Sequence, residues 1–305
     1  MLENYRLQVF RAVAEQASFR RAAELLRISQ PSVSQHVHLL EEELGIRLLD
    51  RTPSGVILTP AGTLVLDHAR RAARLSQKTL DALAALQGQP GGPLRIAAST
   101  TVAQYLLPRI LGAFLRNNPR LQLTVKSGNT EQVTAWVLAA EADLGLIEGP
   151  PTHKEVAVEH FLDDQLLLAV PRSHPWAGRS LIPLEELAPE PLLLREPGSG
   201  TRHVVEQALH NAGIRLNQLH IVMELDSTEA IVSGIEAGLG IGFVSRLAIR
   251  KELRLGTLAI ATLAGIQMPR PFSLIHAAGP IPAGPAAAFR TFALSQRNPT
   301  RPTSS

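Results

Sequence analysis

Three short runs of hydroxyl, amide and glycine residues stand where an apolar strand gives way to a helix. They are Ser99-Thr100-Thr101, Ser127-Gly128-Asn129-Thr130 and Gly198-Ser199-Gly200-Thr201-Arg202. Ser227 opens a fourth junction of the same kind, in Asp226-Ser227-Thr228. Backbone N–H groups freed by glycine, hydroxyl donors and helix N-termini together suit a small anion. The planar fork of Arg202 would supply its counter-charge. Taken one at a time, Ser99, Asn129, Ser199 and Thr201 are equally readable as helix caps with only local work. A fold that converged these junctions on one cleft would favour the binding reading, with Glu148 at a comparable strand end as an opposing carboxylate.

A second set of side chains suits nucleic acid. In Ser29-Gln-Pro-Ser-Val-Ser-Gln-His-Val-His-Leu-Leu-Glu-Glu-Glu-Leu44, Val33, Val37, Leu40 and Leu44 recur at helical spacing and form a buried stripe. Gln30, Pro31, Ser32, Ser34, Gln35 and His38 then lie off that stripe, and Gln and Ser read base edges and phosphate oxygens. Arg20, Arg51 and Ser54 flank this face and suit backbone phosphates. No catalytic constellation accompanies either set. There is no Gly-x-Ser-x-Gly or phosphate-loop motif, and His36 and His38 are two apart on a helix and cannot share a metal. Gly238-Leu-Gly240-Ile-Gly242 precedes a strand instead of following one, which makes it a helix-to-strand turn. His174 sits in a turn, Pro171 to Gly178, and reads as a surface histidine, while Trp136 and Tyr105 read as packing residues. The sequence predicts no metal, no cofactor and no enzyme.

The elements that hold the second set are legible. Ser18 caps a helix, Phe19 to Leu26; Arg27-Ile28 turns; Ser29 caps the next helix, with Pro31 in its first turn and Gly45 ending it. This is a helix-turn-helix with the second helix as the reading element. Ile46 to Thr59, with Pro53-Ser54-Gly55 at its tip, reads as a hairpin wing. Thr59 caps a long Ala- and Leu-rich helix over residues 60–87, where Leu80, Leu83 and Leu86 fall three apart; it packs on its own domain or pairs with a copy of itself. Gly88-Gln-Pro-Gly-Gly-Pro93 breaks the chain. Beyond it, strands and helices alternate: strands at 94–98, 121–126, 144–147, 165–170, 220–225, 241–244 and 272–276, and helices at 108–117, 130–141, 201–211, 227–236 and 286–294. This order predicts an α/β domain with a mostly parallel sheet.

The run of Ala22-Ala-Glu-Leu-Leu26, Ser29-Gln-Pro-Ser-Val-Ser34, Leu40-Glu-Glu-Glu-Leu-Gly45, the wing and Leu58-Thr-Pro-Ala-Gly62 resembles the LysR-type transcriptional regulators, with His38 where that family usually carries Arg or Lys. The resemblance covers about residues 4–295. It implies an N-terminal all-α winged helix-turn-helix over 1–59 with a long dimerising linker helix over 60–87. After a hinge at 88–92 it implies an α/β effector domain over 93–295, of two lobes, like the type 2 periplasmic binding proteins. Lobe I would hold 93–164 and 266–295, lobe II 165–265, with a flexible tail at 296–305. The implied partners are double-stranded DNA bearing an interrupted A·T-rich inverted repeat, a small anionic effector and further copies in a homodimer or homotetramer. The run Arg195-Glu-Pro-Gly-Ser-Gly-Thr-Arg202 most resembles members controlling carbon fixation and sulfur assimilation. Two other classes stay open on the second half alone: a solute-binding protein without regulatory function, and an enzyme using the same cleft.

Composition fits this reading without announcing it. The 305 residues are 45% hydrophobic and 19% charged, enough for about two folded domains. A formal charge of +3 would not by itself suggest nucleic acid, but Glu41-Glu-Glu43 lie beyond the reading face while Arg20, Arg21, Arg47 and Arg51 flank it. Zero cysteines exclude disulfides, thiolate zinc sites and thiol nucleophiles. The lack of a basic-then-apolar leader and of any membrane-length apolar run predicts a cytoplasmic protein away from membranes.

Overall fold

The computed structural model describes residues 4–52, 55–86, 92–151, 153–279 and 284–296 and divides into two compact units, Met1–Gln89 and Pro90–Ser305. In the first, α1 (Tyr5–Gln16), α2 (Phe19–Leu26) and α3 (Gln30–Leu44) precede the hairpin β1 (Leu49–Thr52) and β2 (Gly55–Leu58) and the long α4 (Pro60–Leu86). Each start has its cap: Asn4 accepts from the Arg6 amide, Ser18 from Arg21, Ser29 from Ser32 and Thr59 from Gly62. Arg27, at φ 55°, makes the tight turn between α2 and α3. Phe10, Val13, Ala22, Val33, Val37, Leu40 and Leu48 close the core. Leu44 departs from the expected stripe: it is exposed, because α3 runs past the core in its last turn. Gly62 is required by proximity, since a Cβ there would lie 2.0 Å from the Leu48 carbonyl oxygen.

The second unit runs β3 (Gly92–Ser99), α5 (Thr100–Tyr105), α6 (Leu107–Asn117), β4 (Leu121–Gly128), α7 (Thr130–Leu138), β5 (Leu144–Glu148), β6 (Val156–Pro171), β7 (Leu192–Arg195), α8 (Gly200–Asn211), β8 (Ile221–Leu225), α9 (Thr228–Glu236), β9 (Ile241–Ser245), α10 (Arg250–Leu255), β10 (Leu258–Ala261), β11 (Met268–Ala277) and α11 (Pro285–Ser295). One sheet is ordered β4-β3-β5-β11-β6-β9-β7-β8, with β10 on β6. β6, at 16 residues, spans roughly 50 Å and serves two cores. Its Phe161 packs with Leu94, Phe114, Phe272 and Phe289; its Leu166, Leu168 and Val170 pack with Trp176, Leu194 and Phe243. β11 does the same in reverse, with Phe272 and Leu274 in the first core and Met268 in the second. Two lobes thus share two continuous strands.

The mostly parallel expectation needs correction. β3 with β4 and β5, and β7 with β8 and β9, are parallel, but β6 and β11 are antiparallel to each other, and every pairing they make is antiparallel. Two crossovers between lobes must run in opposite directions, which fixes this. β7, α10 and β10 were not among the expected elements: four-residue strands and a six-residue helix are too short to show periodicity. α7 ends at Leu138, short of Glu141. Gly238, at φ +77°, does lie in the turn between α9 and β9.

Candidate functional site

On the first unit, α3 presents the expected residues. Gln30, Pro31, Gln35 and His38 are exposed, and Ser32 and Ser34 half-buried. His38 pairs with Glu42 at 3.2 Å, one turn along the same helix, and Arg20 with Glu24 at 3.1 Å. Cavities of about 470 and 750 Å³ flank α3, the first lined by Phe19, Ser34, Gln35 and His38, the second by His38, Ile46, Arg47 and Asp50. Glu41, grouped in the sequence with the outlying acids, has a local task. Its Oε1 accepts from the Leu48 and Leu49 amides at 2.7 and 3.1 Å and so fixes the root of the wing. The Arg51 side chain and Ser54 lie outside the described residues.

On the second unit the hydroxyl-rich junctions separate into two kinds. Asn129, Ser199 and Ser227 are caps: they accept from the amides of Gln132, Arg202 and Ala230. Asn129 also donates to the Pro197 carbonyl at 3.3 Å, and the Glu131 amide donates to Gly198, so these loops sew the lobes together. Gly200 lies in that seam, where a Cβ would stand 1.8 Å from the Glu148 carbonyl oxygen. Thr130, buried, donates to the same carbonyl at 3.0 Å.

Ser99, Thr100, Thr101 and Thr201 behave differently. Ser99 sits at a cap position but makes no cap bond; the Ser99 and Thr100 hydroxyls are buried without any partner. Each such group forfeits about 1–3 kcal/mol relative to water. Thr101 shares a 2.9 Å hydrogen bond with Thr228, across the lobes, and Thr228 accepts from Arg195 Nη1 at 3.0 Å. Thr201 donates to Glu148 Oε1 at 3.0 Å and accepts from Arg270 Nη1 at 2.7 Å. Arg270 Nε reaches Asp164 at 2.8 Å, and Ser245 donates to the same carboxylate at 2.9 Å. Arg195 forks onto Glu196 at 2.7 and 3.0 Å. Glu148, Asp164, Arg195 and Arg270 are all buried.

Arg202, expected as the counter-charge, already has carboxylate partners. It turns onto Glu206 at 2.7 Å and Glu224 at 2.6 Å and donates to the Arg195 carbonyl, so its charge is already met. Burial acts to lower its pKa, but the hydrogen bonds and charges of Glu206 and Glu224 outweigh that and raise it. With Thr130, Ser199, Gly200 and His203 it lines a cavity of about 410 Å³. The cations at the strand ends are Arg195 and Arg270 instead. Sequence reasoning missed Arg270, because a lone arginine inside Met268-Pro-Arg-Pro-Phe carries no motif. Tyr105 reaches from α5 into the core of the other lobe, beside Ile231, Val244 and Leu253, and burial, then Glu229 and Glu252, pushes its phenol up to about 12. His174 is half-buried rather than superficial, paired with Glu190 at 3.2 Å while its Nδ1 accepts from the Trp176 amide. Among the described residues no group of three or more His, Cys, Asp or Glu could hold a metal, and no helix is long and apolar enough to cross a membrane.

Comparison with known proteins bears on both units. Residues 5–63 match the family model of the bacterial regulatory helix-turn-helix protein, lysR family, and residues 87–298 that of the LysR substrate binding domain. The RuBisCO operon transcriptional regulator of Allochromatium vinosum is 35% identical over 290 residues, covering 95% of both chains. The regulatory domain of CcmR from Synechocystis PCC6803, solved in complex with 2-PG, is 30% identical with a TM-score of 0.63, covering 68% of this chain and 99% of that one. Full-length CbnR, solved with its target DNA, is 27% identical with a TM-score of 0.67, covering 96% of this chain and 98% of that one.

Proposed function

The chain belongs to the LysR-type transcriptional regulators, a family that binds DNA and small-molecule effectors, and on that premise we propose how it does so. It binds an interrupted A·T-rich inverted repeat as a homodimer or as a tetramer built from two dimers, in the cytoplasm, and a small anion between the lobes sets its DNA affinity. Gln30, Ser34 and Gln35 on the free face of α3 reach base edges in the major groove, with Arg20, Ser32 and His38 beside them. Leu75, Leu80 and Leu83 on α4 are exposed in the single chain, which supports a role for this helix in pairing. The Leu86 side chain of the same expected face lies outside the described residues. The two-lobed fold and the 2-phosphoglycolate held by the CcmR domain support an anionic effector here.

The observation that carries the effector reading is the pair of buried, unpartnered hydroxyls of Ser99 and Thr100 at the cleft end of β3. A bound oxyanion would satisfy both. The capping residues Asn129, Ser199 and Ser227 shape the walls, Thr101 and Thr201 bridge the lobes, and Thr130 and Gly200 lie in the seam between them. Thermal unfolding of the full chain with 2-phosphoglycolate, phosphate, sulfate, lactate and propionate tests it. A ligand of the native state raises the melting temperature, increasingly with the logarithm of its concentration above Kd. At least one of these anions is expected to do so; a flat response to all would contradict an anionic effector. A solute-binding protein without regulatory function would lack a use for the helix-turn-helix unit.

A further inference from the structure

Four buried side-chain atoms without a hydrogen-bond partner lie on or beside three neighbouring strands: Ser99 Oγ at the end of β3, Thr100 Oγ1 just after it, Glu148 Oε2 at the end of β5, and Arg270 Nη2 in β11. The register gathers them. Ala98 pairs with Leu146, and α5, which starts at Thr100, packs against β5, so Ser99 and Thr100 lie at the same end of the sheet as Glu148; Glu148 pairs with Phe272, two residues from Arg270. Glu148 Oε2 is 3.3 Å from Arg270 Nη1, which is already bonded to Thr201.

The buried charges here are already matched, Arg195 and Arg270 against Asp164 and Glu148. Arg195 is forked onto half-buried Glu196, Arg270 is paired through Nε with Asp164, and buried Glu148 is shared between the two guanidinium groups, so neither cation is left over for a bound anion. The unpartnered atoms therefore comprise two hydroxyls and one guanidinium nitrogen able to donate, and one carboxylate oxygen able only to accept. A fully deprotonated oxyanion satisfies the donors but faces Glu148 lone pair to lone pair. An oxyanion that keeps a proton satisfies all four. We propose that Glu148 determines specificity in this cleft and that the effector is a small oxyanion carrying its own proton donor, an acid proton or a hydroxyl, which it gives to Glu148 Oε2. This rests on the effector reading above and narrows it.

Two matched pairs of probes separate the sources of that proton. Phosphate retains an acid proton at neutral pH and sulfate does not; lactate carries a hydroxyl and propionate does not. Dissociation constants for all four are measured by calorimetry on the full-length wild type and on Glu148→Gln. In the wild type, phosphate should bind at least about tenfold more tightly than sulfate, or lactate than propionate, because a buried acceptor left unpaired rejects the analogue lacking the donor. The winning pair identifies the proton's source. In Glu148→Gln the amide can donate where the carboxylate could not, so the preference should collapse or invert. Equal affinity within both pairs in the wild type overturns the proposal while leaving an anionic effector standing. A variant that weakens all probes alike, with the wild-type ratio kept, shows Glu148 to be structural and also overturns it. Binding of none of the probes removes the effector reading itself. Should Glu148→Gln fail to fold, the wild-type ratios alone decide.

Discussion

The two units build their sites in opposite ways. The proposed DNA-reading surface comes from one contiguous stretch, 18–59, in which each helix starts at its own capping residue and the wing is rooted by Glu41, a few residues before it. The proposed effector site is assembled from residues 99–101, 148, 195, 201, 228 and 270, brought together by strand order and by two strands that serve both lobes. A local site tolerates the loss of one exposed side chain, because its neighbours remain held by their own helix. A site made of buried charges from distant strands does not, since each charge is the partner of another.

The largest effect should therefore follow from Arg270→Met. It leaves Asp164 buried without its cation and Glu148 with Arg195 alone, 3.9 Å away, and breaking such a pair costs about 3–5 kcal/mol. Chemical denaturation should show this loss in the 90–305 unit alone; a loss smaller than about 1 kcal/mol would mean the network is not held as described. Next comes Gly200→Ala, whose methyl must displace the Glu148 carbonyl in the seam between lobes. Overpacking of this kind costs about 1–3 kcal/mol, and the response to anions should fall with it.

These differences also explain what the sequence discloses. Ser18, Ser29, Gly45 and Thr59 mark the helix ends of the first unit at fixed offsets, and the structure has each element there. In the second unit the junctions at 99–101, 129–130 and 199–202 are visible as composition, yet composition cannot tell a cap from a binding group. That depends on whether a helix amide lies within reach: it does for Asn129, Ser199 and Ser227, and does not for Ser99. Arg202 looks like the counter-charge because it follows the glycines. The carboxylates that hold it, Glu206 one turn on and Glu224 on another strand, become its partners only in three dimensions. Arg270 has no signal at all until β11 is known to run between β5 and β6.

On the local side, Gln35→Ala should relax sequence preference at one position per half-site by about 1–3 kcal/mol and leave stability nearly unchanged, since the side chain is exposed. Competition binding against single-base variants of a selected DNA would read this; an equal loss on all sequences would make Gln35 a phosphate contact instead. Smallest of all is Arg202→Ala. Both of its carboxylate partners are partly exposed, so about 1 kcal/mol or less is expected, with the anion-induced rise in melting temperature retained. Loss of that rise would return Arg202 to the cleft.

Anion binding in one unit is proposed to be coupled to DNA binding in the other, and linkage measures this directly. The affinity of the full-length protein for selected operator DNA is determined with and without a saturating anion, and the affinity for the anion with and without saturating DNA. Coupling requires both to change by the same factor, on the order of 5–150-fold. An anion that binds with the same affinity whether or not DNA is present would contradict the account.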